Sequence, residues 1–252
     1  MTQLIYIDSG NTNMSIAKHS AQGEWDIETF TQADSQKYLN KIPADAIVVV
    51  SSVRDSEKIK LTLNKKHIPS INVSDFKKDQ AFYDFKHNYA ESIGDDRIIQ
   101  IYHISKKYSN SNVALIDAGS FITSDFILAG DYKGGTISPG IELFLSNYKQ
   151  GQELPEISLE NFQVYLTKPK DLFPKNTNDA IFQGAYEYLR QMVLKLKKLN
   201  IETLIITGGN ADTFKELVKF LDLDINILIN EYLIFEAMEE FFLNLDNTSI
   251  IQ

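Results

Sequence analysis

The sequence predicts an α/β protein built from two similar half-domains that face each other across a nucleotide cleft. Three observations predict it. An apolar run at the start, Leu4-Ile5-Tyr6-Ile7, ends in Asp8-Ser9-Gly10-Asn11-Thr12-Asn13 and resumes as the strand-like alternation Met14-Ser15-Ile16-Ala17. A second copy appears much later, where Ala114-Leu115-Ile116 runs into Asp117-Ala118-Gly119-Ser120-Phe121-Ile122-Thr123. Each copy then continues with a third strand and a helix. An Asp-x-Gly hairpin turn can bring backbone N–H groups close to a phosphate while its carboxylate holds a hydrated Mg²⁺. The same residues are also ordinary hairpin punctuation. The second copy favours the phosphate reading.

The first half is taken as residues 1–108. Residues 4–30 read as a three-stranded meander, its last strand being Trp25-Asp26-Ile27-Glu28-Thr29-Phe30 after Gly23. Ser35 to Asn40 reads as a short helix. The β-branched run Ala46-Ile47-Val48-Val49-Val50 reads as a central parallel strand. Its end, Ser51-Ser52-Val53, suits a ligand crevice and a helix N-cap equally. Asp55 to Asn64 is helical, and Ile71-Asn72-Val73 a short strand. Residues 75–93 carry Phe82, Tyr83, Phe85, His87 and Tyr89. Such a segment is either a satellite of the core or the wall of a pocket for a small organic substrate. Gly94-Asp95-Asp96-Arg97 then opens a helical pattern through Ile104. Acids at a helix start are expected from the dipole alone. Arg97 beside Asp96 also favours an ionised carboxylate there.

The second half is taken as 109–252. The strand to Asp117 is followed by a strand over 123–129, a turn at Gly130-Asp131 and a third strand through Gly134-Gly135-Thr136-Ile137-Ser138-Pro139-Gly140. The glycine pair admits a close backbone approach or a bulge. Ile141 to Tyr148 is a helix and 150–172 a long connection. Lys175-Asn176-Thr177-Asn178 caps a helix over 179–199 with core positions Ile181, Ala185, Leu189, Met192, Val193 and Leu196. Thr203 to Thr207 is a strand that runs into Gly208-Gly209-Asn210, a plausible shelf for a base or ribose. A strand over 225–229 and a helix over 232–243 close the chain.

The totals exclude several classes. The 252 residues support a sizeable core, and 43% hydrophobic with 23% charged residues is ordinary for a globular protein. A net charge of −9 argues against a basic nucleic-acid surface. No cysteine is present, so no disulfide, thiolate metal site or cysteine nucleophile is possible. No signal segment and no apolar run of about 18 residues is seen, so a cytoplasmic protein away from membranes is expected. The sequence has no Walker A motif and no Gly-x-Gly-x-x-Gly. His19, His67, His87 and His103 lack metal-ligand spacing and read as surface or packed residues.

Together these motifs resemble the type III pantothenate kinases of the acetate and sugar kinase/Hsp70/actin superfamily. The matching stretches are Asp8 to Asn13, Ser51-Ser52-Val53, Gly94-Asp95-Asp96-Arg97, Ile116-Asp117-Ala118-Gly119, Gly134 to Gly140, Lys175-Asn176-Thr177 and Thr207-Gly208-Gly209. The Asp-x-Gly turns are shared across the superfamily. Gly-x-Asp-Arg, Gly-Gly-x-Ile-x-Pro-Gly and Lys-Asn-Thr are more specific. This chain has Ser120-Phe121-Ile122-Thr123 where the family usually has Thr-Ala-x-Thr, and Phe173-Pro174 where it has Ile-Gly before Lys175.

The resemblance implies two ribonuclease H-like half-domains and ATP-dependent phosphorylation of pantothenate, the opening step of coenzyme A synthesis. It implies Mg²⁺, K⁺ or NH₄⁺, and a homodimer. Asp96 would be the catalytic base. Tyr89, Gly94, Asp95, Asp96, Arg97 and Thr177 would border pantothenate, with the Arg97 fork suited to the substrate carboxylate. Asp8, Ser9, Gly10, Asn11, Thr12, Asn13, Met14, Ser15 and Ser120 would hold ATP. Asp8 would hold Mg²⁺ through water, and Asp117 the monovalent cation. Two other readings are a sugar- or acetate-type kinase of the superfamily and a non-catalytic transcription accessory factor. Retention of Asp8, Asp96 and Asp117 favours catalysis.

Overall fold

The computed structural model describes residues 3–77, 92–151, 153–168, 173–221 and 224–245. The aromatic segment 82–89, with Tyr89, lies outside the described residues. The chain forms two compact units, one of residues 1–109 with 232–252 and the other of 110–231.

The first unit holds a five-stranded sheet of β1 (Leu4–Ser9), β2 (Asn13–His19), β3 (Trp25–Thr31), β4 (Ile47–Ser52) and β5 (Ser70–Asn72) in the order β3-β2-β1-β4-β5. The meander β1-β2-β3 is antiparallel, and β4 and β5 join in parallel. Its helices are α1 (Ser35–Leu39), α2 (Ser56–Lys65), α3 (Val73–Phe76) and α4 (Asp95–Lys107). Strand alternation sends Ile5, Ile7, Val48 and Val50 to one face, where they cluster with Leu39 of α1 and with Ile59 and Leu63 of α2. Tyr6 and Val49 point to the other face and are wholly buried.

That second face corrects the expected boundary between the halves. The last helix, α9 (Leu233–Leu243), belongs to the first unit although it ends the sequence. Tyr6 donates its hydroxyl to Glu239 at 3.3 Å, and the ring of Phe76 meets Phe241 edge-on. Burial first, and Glu239 second, hold the Tyr6 phenol well above its usual pKa, so it remains a donor. α4 buries Ile98, Ile99, Ile101, Tyr102 and Ile104, and α9 buries Phe235, Met238 and Phe241. A helix apolar on most sides must be covered, and α4 and α9 pack on each other.

The second unit repeats the plan. Its strands are β6 (Val113–Ala118), β7 (Phe121–Leu128), β8 (Asp131–Pro139), β9 (Thr203–Thr207) and β10 (Asn226–Ile229), in the order β8-β7-β6-β9-β10. Again an antiparallel meander accepts two parallel strands on the side of its first strand. Ala114, Ile116, Ile122, Phe126, Leu204 and Ile206 face one core. α5 (Ile141–Ser146), α6 (Leu159–Leu166), α7 (Thr177–Lys198) and α8 (Ala211–Phe220) supply its other wall through residues such as Leu145, Phe162, Leu189 and Phe214. Four of the six expected core positions of α7 are fully buried, Ile181 is nearly so, and Met192 is partly buried. α6 falls within the segment expected to be a connection. Its signals were the Ser158 cap, whose hydroxyl accepts the Asn161 N–H at 3.3 Å, and the helical spacing of Phe162, Tyr165 and Leu166. Among the described residues no helix is long and apolar enough to cross a membrane.

Candidate active site

In the first unit the site begins where β1 ends. Asp8 stands opposite Ser15 of β2 on one side and Ser51 of β4 on the other, and is partly exposed. The turn that follows is fixed through its carbonyls. Gly10 O accepts from Gln32 Nε2 at 2.8 Å, Asn11 O from Arg54 Nη1 at 3.0 Å, and Thr12 O from the Gln32 N–H at 3.3 Å. Asn13 O accepts the Gly10 N–H at 3.0 Å and Gln32 Nε2 at 3.2 Å. A trans peptide points each carbonyl opposite to the N–H of the next residue. Each N–H in the turn therefore points opposite to the carbonyl that precedes it, and Asn11, Thr12 and Asn13 are exposed.

Two of the residues expected to hold ATP face the other way. Ser9 is wholly buried, donates to Arg54 O at 2.9 Å and accepts from Gln32 Nε2 at 3.0 Å. Met14 is wholly buried in the core. Ser15 shares a 2.8 Å hydrogen bond with Thr29. Sequence reasoning missed Gln32 and Arg54. Neither lies in a motif, and their role depends on side chains reaching across the unit.

The second part of the first-unit site is the start of α4. Gly94 precedes the helix with extended backbone and no side-chain cap. The Asp96 Oδ1 accepts the Arg97 N–H at 2.8 Å. A Cβ on Gly94 would run into that same carboxylate oxygen and would come 3.2 Å from Val53 Cγ1. A larger residue here would have to displace the Asp96 carboxylate, so glycine serves close approach and not an unusual dihedral angle. Asp95 is 3% exposed, and its Oδ2 accepts the Ser52 N–H at 3.3 Å. Its Oδ1 lies 2.5 Å from Lys77 Nζ. Arg97 is 4% exposed.

The second unit builds the corresponding turn differently. Asp117, one residue before the end of β6, stands opposite Thr123 and Thr207 and is partly exposed. Gly208, at φ +86°, lies so close that a Cβ there would fall 2.6 Å from Asp117 Oδ1 and 2.8 Å from the backbone of Ala118. The expected Thr-Gly-Gly shelf is thus the backbone packed against Asp117. The Gly119 N–H closes on Phe121 O at 3.2 Å, and the Gly140 N–H on Ser120 O at 2.9 Å. A Cβ at Gly140 would overlap the carbonyls of Gly119 and Ser120. The Pro139-Gly140 end of β8 is therefore a brace for the second turn. Ser120 and Phe121 are exposed. Thr177 is exposed at the first position of α7, where Asn176 accepts the Asp179 N–H at 2.9 Å. A depression of about 260 Å³ is lined by Phe126, Lys133, Gly134 and Lys195, none of which is among the expected site residues.

These features invite comparison with known proteins. The family model for type III pantothenate kinase matches residues 4–198, which spans Asp8, Asp96, Asp117 and Thr177. The chain belongs to the type III pantothenate kinase family. A type III pantothenate kinase of Flavobacterium johnsoniae is 29% identical over 231 residues, covering 86% of this chain and 89% of its own length. That of Aquifex aeolicus is 26% identical, covering 85% and 90%. Among solved structures, a Campylobacter jejuni protein assigned to the Baf family of transcriptional activators superposes with a TM-score of 0.65 at 23% identity, over 94% of this chain and 96% of its own. A Listeria monocytogenes protein assigned as an N-acetylmannosamine kinase gives 0.55 at 10% identity, over 96% and 99%. At such identities the two structures speak to the fold, the two-sheet plan shared with sugar kinases.

The fit of metal ions follows from the donor set. Among the described residues no group of three or more His, Asp or Glu side chains is arranged to hold an ion. A carboxylate such as Asp8 could hold Mg²⁺, which keeps several waters and takes further oxygens from phosphates. Asp117 offers one hard oxygen at a partly exposed strand end, the donor type a monovalent cation takes.

Gly94→Ala is the substitution this geometry singles out. The added methyl should push the Asp96 carboxylate aside; on the reading of Asp96 as the base given under Proposed function, turnover should fall by roughly 10-fold or more. Steady-state rates beside a thermal melt check it. A Gly94→Ala chain with wild-type turnover would show that the close approach has no role.

Proposed function

We propose that this chain transfers the γ-phosphoryl group of ATP to the primary hydroxyl of pantothenate, giving 4'-phosphopantothenate, the first step of coenzyme A biosynthesis. The observation that carries this is the family match over residues 4–198, with both Asp-x-Gly turns and the Gly-Asp-Asp-Arg element in place. The new bond joins the pantothenate oxygen to the γ-phosphorus, and the bond from that phosphorus to the β-phosphate bridging oxygen breaks. The hydroxyl proton passes to Asp96, whose carboxylate is set by its bond to the Arg97 N–H. ADP leaves with the electron pair of the broken bond.

In this reading N–H groups of residues 11–13 bind phosphate oxygens, with the Ser120 hydroxyl as a further contact. Mg²⁺, when bound, neutralises charge on the phosphate oxygens. Asp8 holds it through water, and Asp117 holds K⁺ or NH₄⁺. Ser9, Gly10, Met14 and Ser15 serve the ATP site through the turn's shape. Gly94, Asp96, Arg97, Thr177 and Tyr89 border pantothenate, and Asp95 does so through its backbone. The protein works in the cytoplasm as a homodimer. The transcription-accessory reading is not favoured.

Three measurements test this. The first is the rate of Asp96→Asn with ATP over a panel of acceptors that includes pantothenate and sugars. The wild-type chain should turn over pantothenate alone. Asp96→Asn should lose roughly 10²–10⁴-fold in turnover, the range for a positioned base, while still binding ATP. A variant within a few-fold of wild type would remove Asp96 from the mechanism. The second is activity in Na⁺ buffer stripped of K⁺ and NH₄⁺, which should be low and restored by either ion. Full activity there argues against the Asp117 role. The third is light scattering, expected to give about twice the 28.7 kDa chain mass; an active monomer would refute the dimer.

A further inference from the structure

The family element at residues 94–97 is Gly-x-Asp-Arg, and this chain places a second carboxylate, Asp95, at the open position. That side chain is buried, so its charge needs a partner inside the unit. The partner comes from the residue that follows α3. Lys77, 17% exposed at its side chain, puts its ammonium 2.5 Å from Asp95 Oδ1. The same ammonium donates to the Ile93 carbonyl at 2.8 Å. Ile93 is itself 3% exposed. Lys77 therefore holds the chain on both sides of Gly94, at the carbonyl before it and at the carboxylate after it. The other oxygen of Asp95 takes the Ser52 N–H at the end of β4. The first turn of α4 has no side-chain cap to set its entry angle, and the bonds just described do that instead. The Asp96 carboxylate lies directly over Gly94, so its direction follows from the direction of this backbone.

We propose that Lys77 is a positioning residue for phosphoryl transfer: by gripping Ile93 and Asp95 it fixes the angle at which Asp96 is presented to the substrate hydroxyl. This rests on the reading of Asp96 as the base. Lys77 touches neither substrate nor nucleotide in this scheme and acts only through the backbone of residues 93–95. Its charge also balances Asp95, so that the turn does not present two adjacent uncompensated carboxylates.

The test uses the full chain with Lys77→Met, Lys77→Arg, Asp95→Asn and the double variant Lys77→Met/Asp95→Asn. Lys77→Met should lower kcat by roughly 10–100-fold per folded molecule, the cost of a small misplacement. KM for ATP should stay within about two-fold, because the first turn is held by other residues. Lys77→Arg, which keeps a buried cation, should recover a substantial part of kcat. The double variant leaves no buried charge unpaired and should lose less than the two single losses multiplied. Hydrogen exchange at Ser52 and over residues 94–98 is read in parallel and needs no substrate. Lys77→Met should speed it by roughly ten-fold or more there while leaving α2 unchanged, since local opening reports the contacts of that segment alone. Unchanged exchange, or a kcat loss that only tracks the unfolded fraction, overturns the proposal. If exchange responds as expected but the wild-type chain does not phosphorylate pantothenate, the substrate reading fails and the clamp stands.

Discussion

The register of each central strand governs where the acids stand. β1 and β6 are each paired on one side with an antiparallel partner that returns through a tight turn, and on the other with a parallel strand. The last residues of the central strand therefore emerge beside a hydroxyl on both flanks, Ser15 and Ser51 for Asp8, Thr123 and Thr207 for Asp117. A slip of one residue would send both acids to the other face and break the burial of Ile7 and Ile116. The hydrophobic effect acting on the flanking residues thus fixes two polar positions it does not touch.

Close approach is the second constraint. At Gly94, Gly140 and Gly208 the space that a Cβ would take is held by a carboxylate or by backbone. Only Gly208 of these three needs a positive φ. The other two are glycine because something else occupies the volume. This gives a physical reason for two glycines of the family's motifs without any appeal to their recurrence. It also shows that the Pro139-Gly140 end of β8 acts on the second turn through the Gly140 N–H, not through a side chain.

The polar groups around the first turn illustrate how function is supported from a distance. One glutamine amide, Gln32 Nε2, meets three acceptors, Ser9 Oγ, Gly10 O and Asn13 O. One arginine, Arg54, contributes its side chain to Asn11 O and its carbonyl to both Ser9 and Ser52. These bonds hold the turn's carbonyls. Several bonds converging on so short a segment hold the turn in one conformation.

The sequence by itself determined most of the architecture. Alternation and β-branched runs placed every strand of both meanders, and the repeat of Asp-x-Gly announced the second unit. It also carried the family, because short motifs such as Gly-Asp-Asp-Arg and Lys-Asn-Thr survive as contiguous text. What it left open depends on contacts distant along the chain. Helix α9 reads as the closing helix of the second half, yet Phe235, Met238 and Phe241 are buried in the first unit. Nothing local distinguishes the two destinations, since burial of an apolar face is non-directional. Asp95 and Asp96 are neighbours of one type, and only tertiary structure separates the one held by Lys77 and Ser52 from the one laid over Gly94. Gln32, Arg54 and Lys77 sit in no motif at all. Hydrogen bonds and ion pairs need side-chain atoms within about 3 Å of each other, and that proximity is created by the fold, not by the order of residues.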